Sequence, residues 1–222
     1  MISDVYIIQK ATLNDLPFIA SAIIAAEKGN SEKLSLATLF GINENQVFKL
    51  IQSMLEEEID GCEFSLSSFL LAKINNIPIA AVGGWIEEFN GELPSNILKS
   101  NLIGFTFPKE SIKIAQSKSS IIRDIQIERK QHSLQIEYVY IKDEFRGTGL
   151  VQKLIKTHIE KALEKDSDLS IVQVQVFGNN IAAIKAYEKM GFEIKKKFLS
   201  ENCDALTYLP YNMKILMEEI LK

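Results

Sequence analysis

The feature that most constrains the fold is a strand–helix–strand–helix unit in the C-terminal half of the chain. An alternating apolar run over Leu134–Ile141 predicts a strand, and the amphipathic stretch Gly149–Glu164 predicts a helix after it. A second apolar run, Leu169–Phe177, predicts a strand, and Asn179–Met190 predicts a helix that ends at Gly191, a residue type typical of helix C-termini. Strands that alternate with helices indicate an α/β protein.

The rest of the chain adds strands and helices on both sides of this unit. Two asparagines, Asn75 and Asn76, tolerate the left-handed backbone of a tight turn and therefore predict a hairpin, while Gly83 and Gly84 predict a bulge in its second strand. The other predicted elements are a strand over Val5–Gln9, a helix that reaches Ala26, a helix over Asn43–Glu58, the hairpin strands Phe69–Ile74 and Ile77–Glu87, and a final strand pair over Phe192–Leu199 and Tyr208–Met217.

An irregular segment over residues 89–130 interrupts the predicted sheet. Asn90-Gly91, Pro94 and Pro108 break it into short pieces, of which Ser95–Leu102 has helical periodicity. The segment has too many apolar residues for a flexible linker. We therefore expect a helical insertion of two or three helices that packs on a single domain spanning residues 1–222.

Composition and charge exclude several classes of function. A net charge of −4 argues against a general nucleic-acid binder, because such proteins present a basic surface to phosphates. The two cysteines, Cys62 and Cys203, lie far apart and form no metal-binding pair, and the two histidines suggest no metal site. The chain starts without the pattern of a secretory signal and has no apolar run long enough for a membrane helix. We expect a cytoplasmic protein that uses no metal and binds no membrane.

A glycine-containing turn between the Leu134–Ile141 strand and the next helix suggests an anion site. In the sequence R-G-T-G-L-V, Gly147 and Gly149 leave backbone N–H groups free to face a pyrophosphate at the helix N-terminus, and Arg146 adds positive charge. The spacing fits neither a P-loop nor a dinucleotide-binding fingerprint, which requires a third glycine where Gln152 stands. A plain turn between strand and helix remains the alternative.

The helix over residues 179–190 makes the pattern specific. With the I-E-Y-V-Y-I strand and the R-G-T-G-L turn, the sequence N-N-I-A-A-I-K-A-Y-E-K-M-G-F resembles the GNAT family of N-acetyltransferases. The family's cofactor loop reads Q/R-x-x-G-x-G/A, and Arg146 and Gly149 match it, whereas Val151 departs from its last position. The resemblance implies a mixed, mostly antiparallel twisted sheet, split around an acetyl-CoA site between the Leu134 and Leu169 strands, with helices on both faces.

The resemblance also implies which residues bind acetyl-CoA. The backbone of Val139, Tyr140 and Ile141 would hold the pantetheine arm and polarise the acetyl carbonyl. The pyrophosphate would lie against Arg146, Gly147, Thr148, Gly149, Leu150 and Val151. Asn180 matches an asparagine that contacts the cofactor in this family, although a plain helix cap is an equal alternative.

Tyr187 and Glu137 are the predicted catalytic residues. Tyr187 stands where the family has the tyrosine that protonates the departing coenzyme A thiolate; the alternative is a core tyrosine. Strand alternation groups Glu137 with Val139 and Ile141, and we expect Glu137 to act as the base, through water. A carboxylate paired with a neighbouring strand is the alternative for Glu137.

Other polar residues are predicted to be structural. We expect His132 at the surface and His158 partly buried on its helix. The acidic runs over residues 56–58 and 87–88 could attract a cationic acceptor, but we expect them to be solvated.

The predicted function is transfer of an acetyl group from acetyl-CoA to a primary amine of a small molecule or peptide, in a ternary complex. Two alternatives remain: a non-catalytic module of the same fold that senses acetyl-CoA or binds a partner, and an interaction protein without a cofactor. A homodimer is possible, because the final strand pair could exchange between subunits.

Overall fold

A computed structural model describes residues 6–57 and 59–221 of the chain. Its core is a seven-stranded sheet with the order β1-β2-β3-β4-β5-β7-β6, in which only β4 and β5 are parallel. The strands are β1 (Ile7–Lys10), β2 (Phe69–Ile74), β3 (Ile77–Ile86), β4 (Leu134–Ile141), β5 (Ile171–Phe177), β6 (Glu193–Leu199) and β7 (Met213–Ile220). The prediction of a mixed, mostly antiparallel sheet is therefore confirmed.

Helices cover both faces of this sheet. They are α1 (Leu16–Lys28), α2 (Ser35–Phe40), α3 (Glu44–Glu56), α4 (Ser95–Thr106), α5 (Lys109–Ser117), α6 (Ser119–Arg123), α7 (Leu150–Lys165), α8 (Ile181–Lys189) and α9 (Ala205–Tyr208). The α7 face of the sheet packs against α7 and α8 through one apolar cluster, and the α1 face packs against α1, α3 and α4 through another.

Most predicted elements are present, with two differences. The helix α2, of only six residues, was not predicted. The last strand begins at Met213 rather than at Tyr208, because residues 205–208 form the short helix α9. Val5, the predicted start of the first strand, and Glu58, the predicted end of the second long helix, lie outside the described residues, as do residues 1–4 at the start of the chain.

The two ends of β4 have different neighbours. Residues 134–136 pair with β5 over Val172–Val174, and beyond Ile136 the two parallel strands have no further paired residues. On its other side β4 stays paired with β3 as far as Ile141, which faces Ala80. The sheet is therefore split between the C-terminal halves of β4 and β5, as expected.

Gly83 and Gly84 allow close approach rather than forming the predicted bulge. The register does shift beside them, but the extra residue lies on β4. Ala81 pairs with Tyr140 and Gly83 pairs with Glu137, so one residue between the pairs on β3 is opposite two residues on β4. A Cβ on Gly84 would stand 2.7 Å from Nδ1 of His158, so the glycine makes room for the imidazole. His158 is buried, as predicted, and its Nε2 lies 2.9 Å from the carbonyl oxygen of Val82.

Arg129 joins the end of the insertion to the sheet. Its guanidinium contacts Oε1 of Glu137 on β4 at 2.6 Å and Oε1 of Glu63 at 3.0 Å, and lies 5.1 Å from the ring of Trp85. Lys99 on α4 also contacts Glu63, at 2.7 Å. Burial alone would raise the pKa of Glu63, but the charges of Arg129 and Lys99 outweigh it and lower that pKa to about 2.

The segment over residues 89–130 therefore packs on the sheet, with its helices α4, α5 and α6 between β3 and β4 in the chain. Within the described part of the chain, no helix is both long and apolar enough to cross a membrane.

Replacing Arg129 tests whether the ion pairs hold the insertion in place. We expect Arg129→Ala to lower the free energy of unfolding by about 3–5 kcal/mol, because it leaves the Glu63 carboxylate buried with one partner fewer. Lys113→Ala removes an exposed ion pair with Glu110 and serves as the control, with a change within about 0.5 kcal/mol. Urea denaturation measures both. Equal effects of the two substitutions would contradict the role of Arg129.

His158 should make stability depend on pH. Burial lowers the pKa of His158 from 6.5 to about 4, so between these values the unfolded chain binds a proton that the folded chain does not. We therefore expect the free energy of unfolding to be highest above pH 6.5 and to fall as the pH falls towards 4, with about 3 kcal/mol of the loss due to this histidine. Urea titrations of wild type and His158→Gln at a series of pH values isolate this part, and parallel curves would refute it.

Candidate active site

The opening between β4 and β5 exposes one edge of β4. The N–H of Lys142, the residue after β4, donates to the carbonyl of Ile79 on β3 at 2.9 Å. The N–H of Lys142 therefore points towards β3 and away from the opening. Backbone groups alternate along a strand, so Tyr140 also points towards β3, while Val139 and Ile141 point into the opening. Of the three residues predicted to hold the pantetheine arm, two therefore direct their N–H groups to the expected place.

A bulge at Tyr138 changes which side chains share a face. Tyr138 has a φ of +51°, a left-handed conformation that is strained for a tyrosine. Val139 and Ile141 pack on the α7 face, whereas Tyr138 and Tyr140 pack on the α1 face. Glu137 points to the α1 face as well, where it meets Arg129. The prediction from simple alternation, which grouped Glu137 with Val139 and Ile141, is wrong because the bulge inserts a residue into the strand.

The glycine turn has the backbone geometry of an anion site. Gly147 and Gly149 have φ values of +77° and +79°, and a Cβ on either would meet nothing within 4 Å. Among the described residues, no backbone acceptor bonds the N–H groups of Gly147, Gly149 and residues 150–152, and the positive end of the α7 dipole lies at the same point. The turn can therefore bind a phosphate through its backbone.

The side chains of this turn contribute less than its backbone. Arg146 is exposed and forms an ion pair with Asp143 at 2.7 Å, and the Thr148 hydroxyl donates to the carbonyl of Phe145 at 2.7 Å. Leu150 is buried, and Val151 packs against the apolar cluster of the α7 face. The side chain of Val151 packs against this cluster. Although Val151 departs from the family's cofactor-loop pattern, its side chain therefore does not cover the N–H groups of the turn.

Tyr187 is buried on α8, with its ring centroid 5.7 Å from that of Phe192. Burial, and secondarily the negative charge of Glu137, raises the pKa of Tyr187. The phenol therefore stays protonated at neutral pH and can donate a hydrogen bond. Because it is a weaker acid than a thiol, full proton transfer to a free thiolate would be uphill, so the hydroxyl is suited to stabilising a sulfur that is gaining charge.

Asn180 forms the N-cap of α8. Its Oδ1 accepts a hydrogen bond from the N–H of Ala183 at 3.2 Å, which is the alternative that the sequence left open. Nδ2 has no hydrogen-bond acceptor among the described residues, so the capping bond leaves it free for a second contact.

Glu137 is ion-paired, but only through one of its oxygens. Oε1 accepts from Nη2 and Nε of Arg129 at 2.6 and 3.2 Å, while Oε2 has no partner within the described part of the chain. The side chain is 14% exposed, so water can reach it. A carboxylate in this setting can accept a proton through water.

The α1 face also holds charged residues that were not predicted from the sequence. They are Glu27, Glu63, Lys99, Arg129 and Lys214. Only Glu27 had a usable signal, because it continues the apolar stripe of its helix. The others come from segments whose positions depend on the tertiary fold.

Two predictions about polar residues have different outcomes. Glu87 is buried rather than solvated, and it accepts hydrogen bonds from the Ser95 N–H at 2.9 Å and from the Trp85 indole at 3.0 Å. His132 is exposed, as predicted. The residues that the structure describes include no cluster of three or more histidine, cysteine or acidic side chains that could hold a metal ion.

Comparisons with known proteins agree with this geometry. A family model described as the Acetyltransferase (GNAT) family matches residues 44–192. Among solved structures, an N-acetyltransferase from Staphylococcus aureus Mu50 is 17% identical with a TM-score of 0.66, covering 96% of this chain and 99% of that one. A ribosomal-protein-alanine N-acetyltransferase from Brucella melitensis is 16% identical with a TM-score of 0.53, covering 97% of this chain and 99% of that one.

A chimeric spermidine N-acetyltransferase from Vibrio cholerae is 13% identical with a TM-score of 0.54, and the match covers 97% of this chain and 95% of that one. No curated protein matches the sequence. At these identities the solved structures show a common fold, and the family match, which spans about two thirds of the chain, shows the relationship. The chain belongs to the GNAT family of acetyltransferases.

Proposed function

We propose that this protein transfers the acetyl group of acetyl-CoA to a primary amine of a small molecule or peptide, by direct attack within a ternary complex. The observation that carries the proposal is the opening between β4 and β5. The N–H groups of Val139 and Ile141 face it, the glycine turn before α7 follows β4 in the chain, and α8, which carries Tyr187, follows β5. Family membership supports acetyl-CoA as the donor.

Backbone groups would hold the donor in place. The N–H groups of Gly147, Gly149 and residues 150–152 would bind the pyrophosphate, and Asn180 could add a contact through Nδ2. The N–H groups of Val139 and Ile141 would bind the pantetheine arm and the acetyl carbonyl. An N–H group that donates a hydrogen bond to the carbonyl oxygen, where negative charge develops, stabilises the transition state more than the ground state.

The remaining chemistry is the movement of protons. The acceptor ammonium must lose one proton before its nitrogen attacks, and Oε2 of Glu137 is the proposed base, through water. As the C–N bond forms and the C–S bond breaks, the nitrogen loses a second proton to water and the sulfur leaves as a thiolate. Tyr187 would donate a hydrogen bond to this sulfur as its charge develops, and the second proton, carried by water, then yields the free thiol of coenzyme A.

Thiol release tests the proposed reaction. We expect wild type to release thiol from acetyl-CoA in the presence of pooled amino acids, polyamines, aminoglycosides and lysine peptides. Tyr187→Phe should lower turnover about 10- to 100-fold while acetyl-CoA still binds, because only the hydroxyl is removed. Tyr6→Phe, outside the site, is the matched control and should keep full activity. Equal turnover of wild type and Tyr187→Phe would remove Tyr187 from the mechanism.

Acetyl-CoA should stabilise the folded protein. A ligand that binds only the folded chain raises the free energy of unfolding, by about 2.7 kcal/mol when its concentration is 100 times its Kd. A thermal-shift titration with acetyl-CoA measures this, with acetyl phosphate as the control donor that lacks the nucleotide and pantetheine. The absence of any shift would favour an interaction protein without a cofactor, whereas a shift without thiol release would favour a sensing or partner-binding module.

A further inference from the structure

Glu27 occupies a position where the pattern of α1 calls for an apolar residue. The helix buries Ile19, Ala20, Ile23 and Ile24 against the α1 face, and Glu27 follows Ile23 and Ile24 at helical spacing. Its Oε1 accepts a hydrogen bond from the N–H of Leu36 at 3.3 Å. Its Oε2 is shielded from solvent and has no hydrogen-bond partner among the described residues.

The C-terminal end of α1 lies beside the end of β5. Nδ2 of Asn30, one turn beyond Glu27, donates to the carbonyl of Asn179 at 3.1 Å. At the other end of α1, the ring of Phe18 lies 5.9 Å from that of Tyr140 on β4. The helix therefore bridges the opening between β4 and β5 on the α1 face, and Glu27 lies on the part of the helix near β5.

Lys214 lies on the other side of the same end of β5. It faces Phe177 in the β5–β7 register, and its Nζ is 5.1 Å from that ring. Its neighbour Ile215 packs on the α7 face, so Lys214 points to the α1 face. Within residues 6–57 and 59–221 it has no ion-pair partner, and burial lowers its pKa.

Glu27 and Lys214 lie at the same junction, because Asn30 bonds to Asn179 and the N–H of Gly178 donates to the carbonyl of Met213, yet within the described residues they form no ion pair with each other. Burial raises the pKa of Glu27, and the positive charge of Lys214 is the largest influence that opposes the rise. Asn179, at the same junction, also has a buried Oδ1 without a partner in the described part of the chain. Buried carboxylate and amide oxygens without donors are costly unless a ligand supplies the missing hydrogen bonds.

The other carboxylates of the α1 face already have cationic partners or donors. Glu63 pairs with Lys99 and Arg129, and Glu137 pairs with Arg129. Glu27 differs, because no cation pairs with it within the described residues, and Lys214 has no anionic partner there. A carboxylate and an ammonium that both lack partners match a ligand with one charge of each sign.

We propose that the acceptor is a compact amine that carries its own carboxylate, such as an α-amino acid, with its ammonium at Glu27 and its carboxylate at Lys214. This inference rests on the proposed acetyl transfer and specifies its acceptor. The ammonium would supply donors to Oε2 of Glu27, and Lys214 would gain the anionic partner that it lacks. The nitrogen would then lie on the α1 side of the opening between β4 and β5, which α1 bridges.

The test compares acceptors that differ by one charged group. Thiol release is measured with each common α-amino acid, with the amide and the decarboxylated amine of those that react, and with spermidine and a lysine peptide. We expect kcat/KM for an amino acid to exceed that for its amide by at least about tenfold, because the amide cannot form the charged hydrogen bond to Lys214. Spermidine should be a poor acceptor.

Variants of the two charged residues make the test specific. Lys214→Met should raise KM for the amino acid and abolish its advantage over the amide, Lys214→Arg should keep that advantage, and Glu27→Gln should lower kcat/KM for both acceptors. Lys196→Met is the matched control, since Lys196 lies 4.7 Å from the ring of Phe198 on the neighbouring strand.

Three outcomes decide the matter. Equal rates with amino acid and amide, or an unchanged ratio in Lys214→Met, would overturn the inference. Thiol release with spermidine or the lysine peptide alone would overturn it and leave the acetyltransferase proposal standing. No release with any acceptor would overturn the proposed function, and this inference with it.

Discussion

A strand edge left unpaired inside a folded sheet needs hydrogen-bond partners, and here that edge belongs to β4. Its backbone is bonded on one side to β3 along most of its length, while beyond Ile136 the other side has no strand beside it. Buried N–H and C=O groups without partners are costly, so this arrangement persists in proteins where a ligand completes it. The glycine turn follows β4, α8 follows β5, and α1 spans the place where the two strands separate.

Ion pairs and hydrogen bonds of charged residues hold the insertion on the α1 face. Arg129 joins β4, the loop that carries Glu63, and the insertion through one guanidinium, whose planar group can serve several carboxylates at once. Glu87 adds a second anchor by accepting from the N–H of Ser95 at the start of α4. The insertion is thus fixed to the sheet at both of its ends.

The sequence was most informative where structure is local. The strand–helix–strand–helix unit, the Asn75-Asn76 hairpin and the end of α8 at Gly191 depend on periodicity and turn residues, and all were predicted. The predicted orientation of Glu137 was wrong, because a one-residue bulge reverses the alternation of side chains and the sequence carries no clear signal for it. Arg129 and Lys214 could not be found in advance, since their partners come from distant segments. Glu27 had a signal, a charge in an apolar stripe.

The bridge that α1 makes across the opening affects how two substrates can reach one another. The donor would lie between the strands with its phosphates at α7, whereas the acceptor would approach from the side that α1 covers. Two ligands that enter from opposite faces of a sheet do not block each other's path. The kinetic mechanism then need not impose an order of addition, and either product could leave first.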